Sequence, residues 1–369
     1  MTTPLVDVVI ACHDEARPIE RAVASVLQDA DVRERVRVTV VAHGLPAEPF
    51  ESRLSALDVP AGSWRVVAFA DGIRSPAGPF NHGIDLADAD YVAVMGSDDF
   101  LEPGAMSAWL RHVDAERPAA AIARIRIQGQ TVMPNPLVRL GRRRRMDAAK
   151  DRLFYRTAPL GLIETAEVRR LGLRMTEGMR VGEDVEFGIT LWSLGRRIDF
   201  LRDAPSYVIG VDAAERTTHA RLPIEETFEP ITRLLDDGLP SRLPAAHRRA
   251  LAVKLARVGV VGAARSRPLP EHWRGDDEVA ALAALLRRLI AISPRLLVPF
   301  NLADRRVLDG LLAEPTVARV TADARHPSAA GRRERWLTKN PLHSLDREST
   351  LRRYLLYFLK RERVRTASP

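Results

Sequence analysis

Apolar and polar positions fall into short blocks along the first half of the chain, and the blocks switch between two periods. Val6-Asp7-Val8-Val9-Ile10-Ala11 is a short apolar run of the kind a buried parallel strand carries. A polar loop from Cys12 to Arg17 follows, and Pro18 stands where the first turn of a helix tolerates it. Ile19, Ala22, Val23, Val26 and Leu27 then recur at i, i+3, i+4, i+7 and i+8, one face of a helix. The same reading predicts strands over 36–42, 65–70 and 91–95 and helices over 47–57, 80–88 and 102–115. The Pro/Gly-rich stretch 75–79 reads as a loop leading into the third of those helices. Further on come a strand over 120–127, an irregular basic stretch over 128–160 and a helix over 164–171. Gly182-Glu183-Asp184 opens another helix, and two short strands lie over 197–201 and 206–211.

Strand–helix alternation with short turns predicts an α/β layered structure whose sheet is mainly parallel and flanked by helices. In such sheets ligands bind beyond the carboxyl ends of the strands. The loops at 11–15, 43–44, 71–81 and 96–99 are therefore expected to gather at one edge. From about 225 the pattern becomes helix only, over 225–237, 244–264, 276–292 and 302–313, and 321–342 reads as a linker. Leu351, Tyr354, Leu355, Phe358 and Leu359 again mark one helical face, with Arg352, Arg353, Lys360, Arg361 and Arg363 mostly on the other. The expected division is a sheet domain over 1–224, an all-helical domain over 225–320 and a basic linker and amphipathic helix over 321–369.

Composition narrows the class. A chain of 369 residues with 46% hydrophobic residues buries real cores and is not disordered. One cysteine, Cys12, excludes an intramolecular disulfide framework and any multi-cysteine zinc site, and its expected role is packing. No run approaches the ~18 uncharged apolar residues of a membrane span. No basic segment precedes the first apolar run, so a cytoplasmic location is expected, with peripheral contact at the inner face of the membrane as an option. The net charge is +8, yet residues 321–369 alone carry 12 Lys+Arg against 5 Asp+Glu. The body is nearly neutral and the tail is basic. With Arg142–Arg145, that charge suits an anionic acceptor polymer or lipid. No nucleic-acid recognition module accompanies it, and nucleic acid is not an expected partner. For the 351–359 stripe, packing or self-association into a homo-oligomer is favoured over a membrane surface, because five apolar residues make a modest anchor.

Two acidic pairs carry the chemistry. Asp98-Asp99 ends the fourth strand. Paired carboxylates there can hold a hard divalent cation whose remaining positions take phosphate oxygens, or they can cap the turn that follows. Glu183-Asp184 precedes a helix, where acidic residues suit the helix dipole or, near a bound donor, act as a general base on an attacking hydroxyl. Trp192, on the helix that follows, reads as core.

In this order the motifs resemble family 2 glycosyltransferases of the GT-A fold. The carriers are Val8-Val9-Ile10 with Ala22–Leu27, Asn81–Ala87 with Asp90-Tyr91-Val92, Gly96–Gly104 and Gly182–Phe187. The resemblance covers about 5–220. It implies a nucleotide-sugar donor beside Ala11, His13, Glu15, His43, Asp71, Asn81 and Asp98, and Mn²⁺ or Mg²⁺ on Asp99. It implies Asp184 as the base of a single inverting displacement, assisted by Glu183. A finer resemblance, through the 76–81 loop, Phe154-Tyr155-Arg156-Thr157 and Thr218-His219, points to wall-teichoic-acid glycosyltransferases. That resemblance places His219 near the metal and a cell-surface glycan or polyol-phosphate polymer as acceptor.

The chain also departs from the family. Ala11-Cys12-His13-Asp14 replaces the usual Pro-Thr-Tyr-Asn, and Ala42 and His43 stand where the family has two Asp residues, the second of which reads uracil. Phe80 replaces an Arg, and Gly96 replaces the first Asp of the metal motif. The acidic pairs remain while base recognition changes, so UDP is the default donor nucleotide and CDP, GDP and dTDP are open. A degenerate, non-catalytic binding or assembly module is the alternative reading.

Overall fold

The computed structural model describes residues 4–212, 222–324 and 331–360. Its contacts separate two units. Among described residues the first contains 4–147 and 156–212, and the second contains 148–155, 222–324 and 331–360.

The first unit opens with β1 (Val6–Cys12), α1 (Ile19–Leu27), β2 (Val36–His43), α2 (Glu48–Ser55), β3 (Trp64–Phe69), α3 (Ala77–Asp85) and β4 (Tyr91–Gly96). It continues with β5 (Phe100–Leu101), α4 (Ala105–Glu116), β6 (Ala120–Ala123), β7 (Ile125–Ile127), β8 (Gly161–Glu164), α5 (Thr165–Leu171), α6 (Val185–Leu194), β9 (Ile198–Leu201) and β10 (Tyr207–Ile209). Seven strands form one sheet in the order β3-β2-β1-β4-β8-β6-β9, and β5-β10-β7 form a second. The strands β3, β2, β1 and β4 are parallel; β8 runs antiparallel to both its neighbours. Nearly every β1 residue is buried, as a strand covered on both faces must be. The α1 face predicted from its spacing, Ile19 to Leu27, is fully buried against this sheet. Each buried Val, Leu or Ile of this face contributes roughly 1.5–3 kcal/mol.

Several elements differ from the pattern reading. The 75–79 stretch belongs largely to α3, which starts at Ala77 because prolines are tolerated in a first helical turn. The run 120–127 is two strands in two sheets, broken at Arg124. β8 falls between the stretch expected to be irregular, 128–160, and the helix expected from 164; it is short and opened by Gly161 at φ +135°. Its glycine is required, since a Cβ there would stand 2.1 Å from the Ala121 carbonyl oxygen.

Two buried carboxylates brace the later strands. Asp199 accepts from His112 (3.1 Å), Arg197 (2.7 Å) and the Arg145 N–H (2.9 Å). Burial alone would raise its pKa, but these donors outweigh it and hold the carboxyl at about 2. Glu167 is held at about 2 chiefly by Arg170, with Arg196 and its N–H adding to the effect.

The second unit is helical: α7 (Ile224–Asp236), α8 (Leu239–Arg242), α9 (Ala245–Lys254) and α10 (Gly262–Ser266), the last two joined by a π-helical segment over Leu255–Val261. Then follow α11 (Asp276–Ile292), α12 (Leu302–Ala313), α13 (Val317–Asp323), α14 (Arg332–Trp336) and α15 (Thr350–Lys360). The stretch read as a linker therefore holds the end of α13 and all of α14. Among described residues no helix is long and apolar enough to cross a membrane.

Candidate active site

Parallel register brings the ends of the first strands level. Ala11 pairs with Gly96 of β4 and with Val41 of β2, and His43 pairs with Phe69 of β3. The loops that follow these strands therefore share one edge of the sheet.

Asp99 is the most constrained side chain there. Its Oδ2 accepts from the Tyr207 hydroxyl at 2.5 Å and its Oδ1 from the Gly210 N–H at 2.9 Å. The same Tyr207 oxygen accepts from the Gly96 N–H at 3.1 Å. Burial pushes the Asp99 carboxyl above its usual range, and neighbouring Asp98 pushes in the same direction. Burial and Asp99 together push the Tyr207 phenol well above its usual range, so it stays a donor. These partners lie more than a hundred residues away in sequence, so Asp99 is not merely capping a local turn.

Gly96 makes room for this arrangement. A Cβ there would stand 2.6 Å from Asp99 Oδ2 and 3.4 Å from Asp98 Oδ1. The two carboxylates converge over a bare Cα, so the residue that departs from the family motif is the one their packing needs. On its other side Asp98 lies 3.3 Å from an Arg17 guanidinium nitrogen, which ties the turn to the loop after β1. Arg21 holds the Asp98 carbonyl at 2.5 Å and also pairs with Asp212.

At the ends of β2 and β3, His43 Nε2 meets Asp71 Oδ1 at 2.7 Å, and Asp71 Oδ1 also accepts from the Ile73 N–H. Partial burial opposes ionisation of Asp71, but His43 and the Ile73 N–H outweigh it and lower its pKa. Phe69 stacks on His82 at 4.8 Å and lies 5.9 Å from the His43 ring. Gly78 is required here, because a Cβ would stand 2.1 Å from Asp71 Oδ2. His13 is lowered by burial and by Arg17 nearby, and its charge environment also includes His43 and Asp98.

Of three other expected donor contacts and ligands, Asn81 is bonded within the protein, the Glu15 side chain is exposed and His219 is not described. Asn81 is buried, and its carboxamide is taken up by protein. Its Nδ2 donates to the Met175 carbonyl and to Glu177, each at 2.9 Å, and its Oδ1 accepts from the Met175 N–H at 2.8 Å. The side chain therefore ties α3 to the 175–177 loop instead of facing a donor. The Glu15 side chain is exposed, and its carbonyl accepts from Arg53. His219 lies outside the described residues.

The second acidic pair stands before α6. Gly182 takes a left-handed conformation, the Glu183 carbonyl accepts from the Thr176 N–H at 2.8 Å, and Asp184 occupies the N-cap position. The Asp184 side chain makes no N-cap hydrogen bond to α6. Burial pushes the Glu183 carboxyl up, partly offset by its own N–H and that of Gly182. Trp192 is buried and donates to the Arg156 carbonyl at 2.6 Å, which agrees with a core role. Arg156 is itself buried among the carbonyls of Ala123, Ala158 and Leu160, and burial lowers its pKa to about 10.

Sequence reasoning missed Arg17, Arg21, Tyr207 and Gly210. Tyr207 and Gly210 had no signal near the motif they serve, while Arg17 sits in a loop that had been singled out.

A mainly parallel sheet with an acidic turn at the end of its fourth strand, and a second acidic pair before a later helix, is an arrangement of the GT-A type. Residues 7–166 match Glycosyl transferase family 2, so the chain carries a glycosyltransferase domain of that family. The succinoglycan biosynthesis protein ExoO of Rhizobium meliloti (strain 1021) is 25% identical over 344 residues, covering 87% of this chain and 93% of that protein. The structure of S. aureus TarS in complex with UDP-GlcNAc matches with a TM-score of 0.70 at 15% identity, over 86% of this chain and 90% of that one. The mannosyltransferase PcManGT of Pyrobaculum calidifontis, in complex with GDP-Man and Mn²⁺, matches with a TM-score of 0.51 at 15% identity, over 88% and 84%. At that identity the two structures establish the shared fold.

Proposed function

We propose that this glycosyltransferase moves a sugar from a nucleotide-sugar donor to a hydroxyl of a cell-surface glycan or polyol-phosphate polymer, with inversion at the anomeric carbon. The observation that carries the reading is the convergence of the Asp98 and Asp99 carboxylates over Gly96, beside Arg17. The ExoO likeness, the TarS fold and the basic tail support the choice of acceptor class.

The donor set at Gly96 suits a hard divalent ion. Two carboxylate oxygens converge there, the Asp99 one also accepting from Tyr207, and phosphate and water would have to complete the shell of an ion held by them. Among described residues no group of three or more His, Cys, Asp or Glu side chains is placed to hold a metal ion. Asp99, helped by Asp98, would hold Mn²⁺ or Mg²⁺. Bound there, the ion neutralises charge developing on the departing diphosphate.

The chain's own residues do the rest. The Asp184 carboxylate takes the proton of the acceptor hydroxyl as that oxygen attacks the anomeric carbon. The bond from that carbon to the diphosphate breaks, and the diphosphate leaves with the electron pair. Glu183, whose carboxyl is pushed up by burial, orients the acceptor by hydrogen bonding. Asn81 acts at one remove, by fixing Met175 and Glu177 next to Thr176, which holds the Glu183 carbonyl.

The His43–Asp71 pair bears on the donor base. When His43 donates its Nε2–H to Asp71, the tautomer that does so carries its ring lone pair on Nδ1. That is an acceptor where the family places a carboxylate, and it suits the N3–H of uracil. Cytosine presents an acceptor at the same place and is disfavoured.

Thermal shift with UDP, GDP, CDP, dTDP and their sugars, each with Mn²⁺ and with chelator, tests the donor reading, because a ligand of the native state raises apparent stability. The expected result is a metal-dependent shift with uridine nucleotides. No shift with any nucleotide, in folded protein, would move the assignment to a non-catalytic module.

A further inference from the structure

The amphipathic stripe at the end of the chain points outward. Seven of the thirteen large apolar side chains exposed among the described residues lie between Leu342 and Leu359. On α15 the face expected to pack, Tyr354, Leu355, Phe358 and Leu359, is open. On the opposite side Arg353 stacks on the Tyr155 ring at 3.7 Å and lies 3.7 Å from buried Glu348. Tyr354 also leans on Trp336 of α14 at 4.3 Å, which fixes the near end of the helix. Leu342 and Leu345 extend the patch from the preceding turn, and the Leu345 carbonyl accepts from Arg352 at 3.2 Å. The exposed side chains range from 44% to 73% accessible, which isolated surface leucines explain poorly when they cluster.

We propose that α15 and the Leu342–Leu345 turn form a docking surface for an anionic lipid bilayer. Three observations select that occupant. The helix has one apolar face bordered by an exposed arginine, Arg352, and ends at Lys360, with Arg361, Arg363 and Arg365 next in sequence. Tyr354 and Tyr357 add side chains that are apolar along the ring and polar at the tip, which suits the headgroup level. A second copy of the same helix would bring the same cationic border against itself, whereas an anionic surface complements it. The surface is separate from the sugar-transfer chemistry and does not depend on the donor or the acceptor.

The test is flotation of the full chain with phosphatidylcholine vesicles and with phosphatidylcholine vesicles that contain phosphatidylglycerol. The wild-type chain should float with the anionic vesicles, much less with the neutral ones, and less again as salt is raised. The exposed double substitution Leu355→Glu and Phe358→Glu should lower that partition by roughly tenfold or more, since two apolar side chains leave the interface. Its melting temperature and its thermal shift with nucleotides should stay at the wild-type values, which separates lost docking from a lost fold. Absence of wild-type flotation with anionic vesicles overturns the proposal, as does equal binding to both vesicle types. A dimer in light scattering that the double substitution abolishes, with no vesicle binding, overturns it in favour of self-association.

Discussion

Replacing Tyr207 with Phe removes one oxygen from the centre of the acidic turn and leaves the ring packing intact. That oxygen makes two bonds, donating to Asp99 at 2.5 Å and accepting from the Gly96 N–H at 3.1 Å. A hydrogen bond to a charged group contributes roughly 1.5–3 kcal/mol, and a buried donor left without a partner costs about 1 kcal/mol or more. The expected loss is about 3 kcal/mol, which for a unit of about 200 residues lowers Tm by roughly 6–12 °C. A second consequence separates this from simple destabilisation. With Oδ2 released, the Asp99 carboxylate loses its shortest hydrogen bond, so binding of the donor with Mn²⁺ should weaken well below the melting range, where the protein is fully folded. Differential scanning calorimetry and isothermal titration of the nucleotide with Mn²⁺ measure the two effects. A Tyr207→Phe protein that melts within about 2 °C of wild type and binds the donor unchanged would refute the reasoning, because Asp99 would then be held by something other than this hydroxyl.

Other outcomes are equally specific. Asp184→Asn should abolish sugar transfer while donor binding persists, and near-normal turnover in that variant would sink its role as base. His43→Ala should reduce discrimination between uridine and cytidine nucleotides in a binding series, and Asp71→Asn should do so in part, by freeing the ring to turn. An unchanged preference in both variants argues against the Nδ1 acceptor. Asp199 and Glu167, each held at about 2, support the fold above the ordinary carboxylate range, and that support is lost as pH falls through the folded values. Acid unfolding should therefore steepen between about pH 4 and pH 2, and Asp199→Asn should flatten that limb of the stability curve.

Much of the sheet was legible because buried parallel strands read as continuous apolar runs. Val6–Cys12, Val36–His43 and Tyr91–Gly96 stand within a residue or so of the expected strands, and α1 matches its five-residue stripe. Legibility failed where a local rule was right about chemistry and silent about context. The prolines around Gly78 read as a loop but serve as a helix start. Gly96 read as a missing ligand, yet it leaves the space into which two carboxylates converge. The α15 stripe was visible as a period, but a period cannot say which way a face points. Buried Glu348 and the Tyr155 ring draw Arg353 inward, and the apolar side is left outside. Asn81 lay inside a motif, and only the 175–177 loop shows what its amide holds.

The clamp on Asp99 has a consequence for the order in which the protein matures on the ribosome. The strand that ends in Gly96 and the turn bearing both carboxylates emerge early, whereas Tyr207 and Gly210 emerge more than a hundred residues later. Domains fold as synthesis proceeds, N-terminal portions first. A nascent chain that has paired β1 to β4 therefore still lacks the hydroxyl and the N–H that set Asp99. The loops after β1 to β3 can form before the acidic turn is set, and a chain released before residue 210 lacks the partners that hold Asp99. Competence is thereby tied to completion of β10, the last strand among the described residues of the first unit.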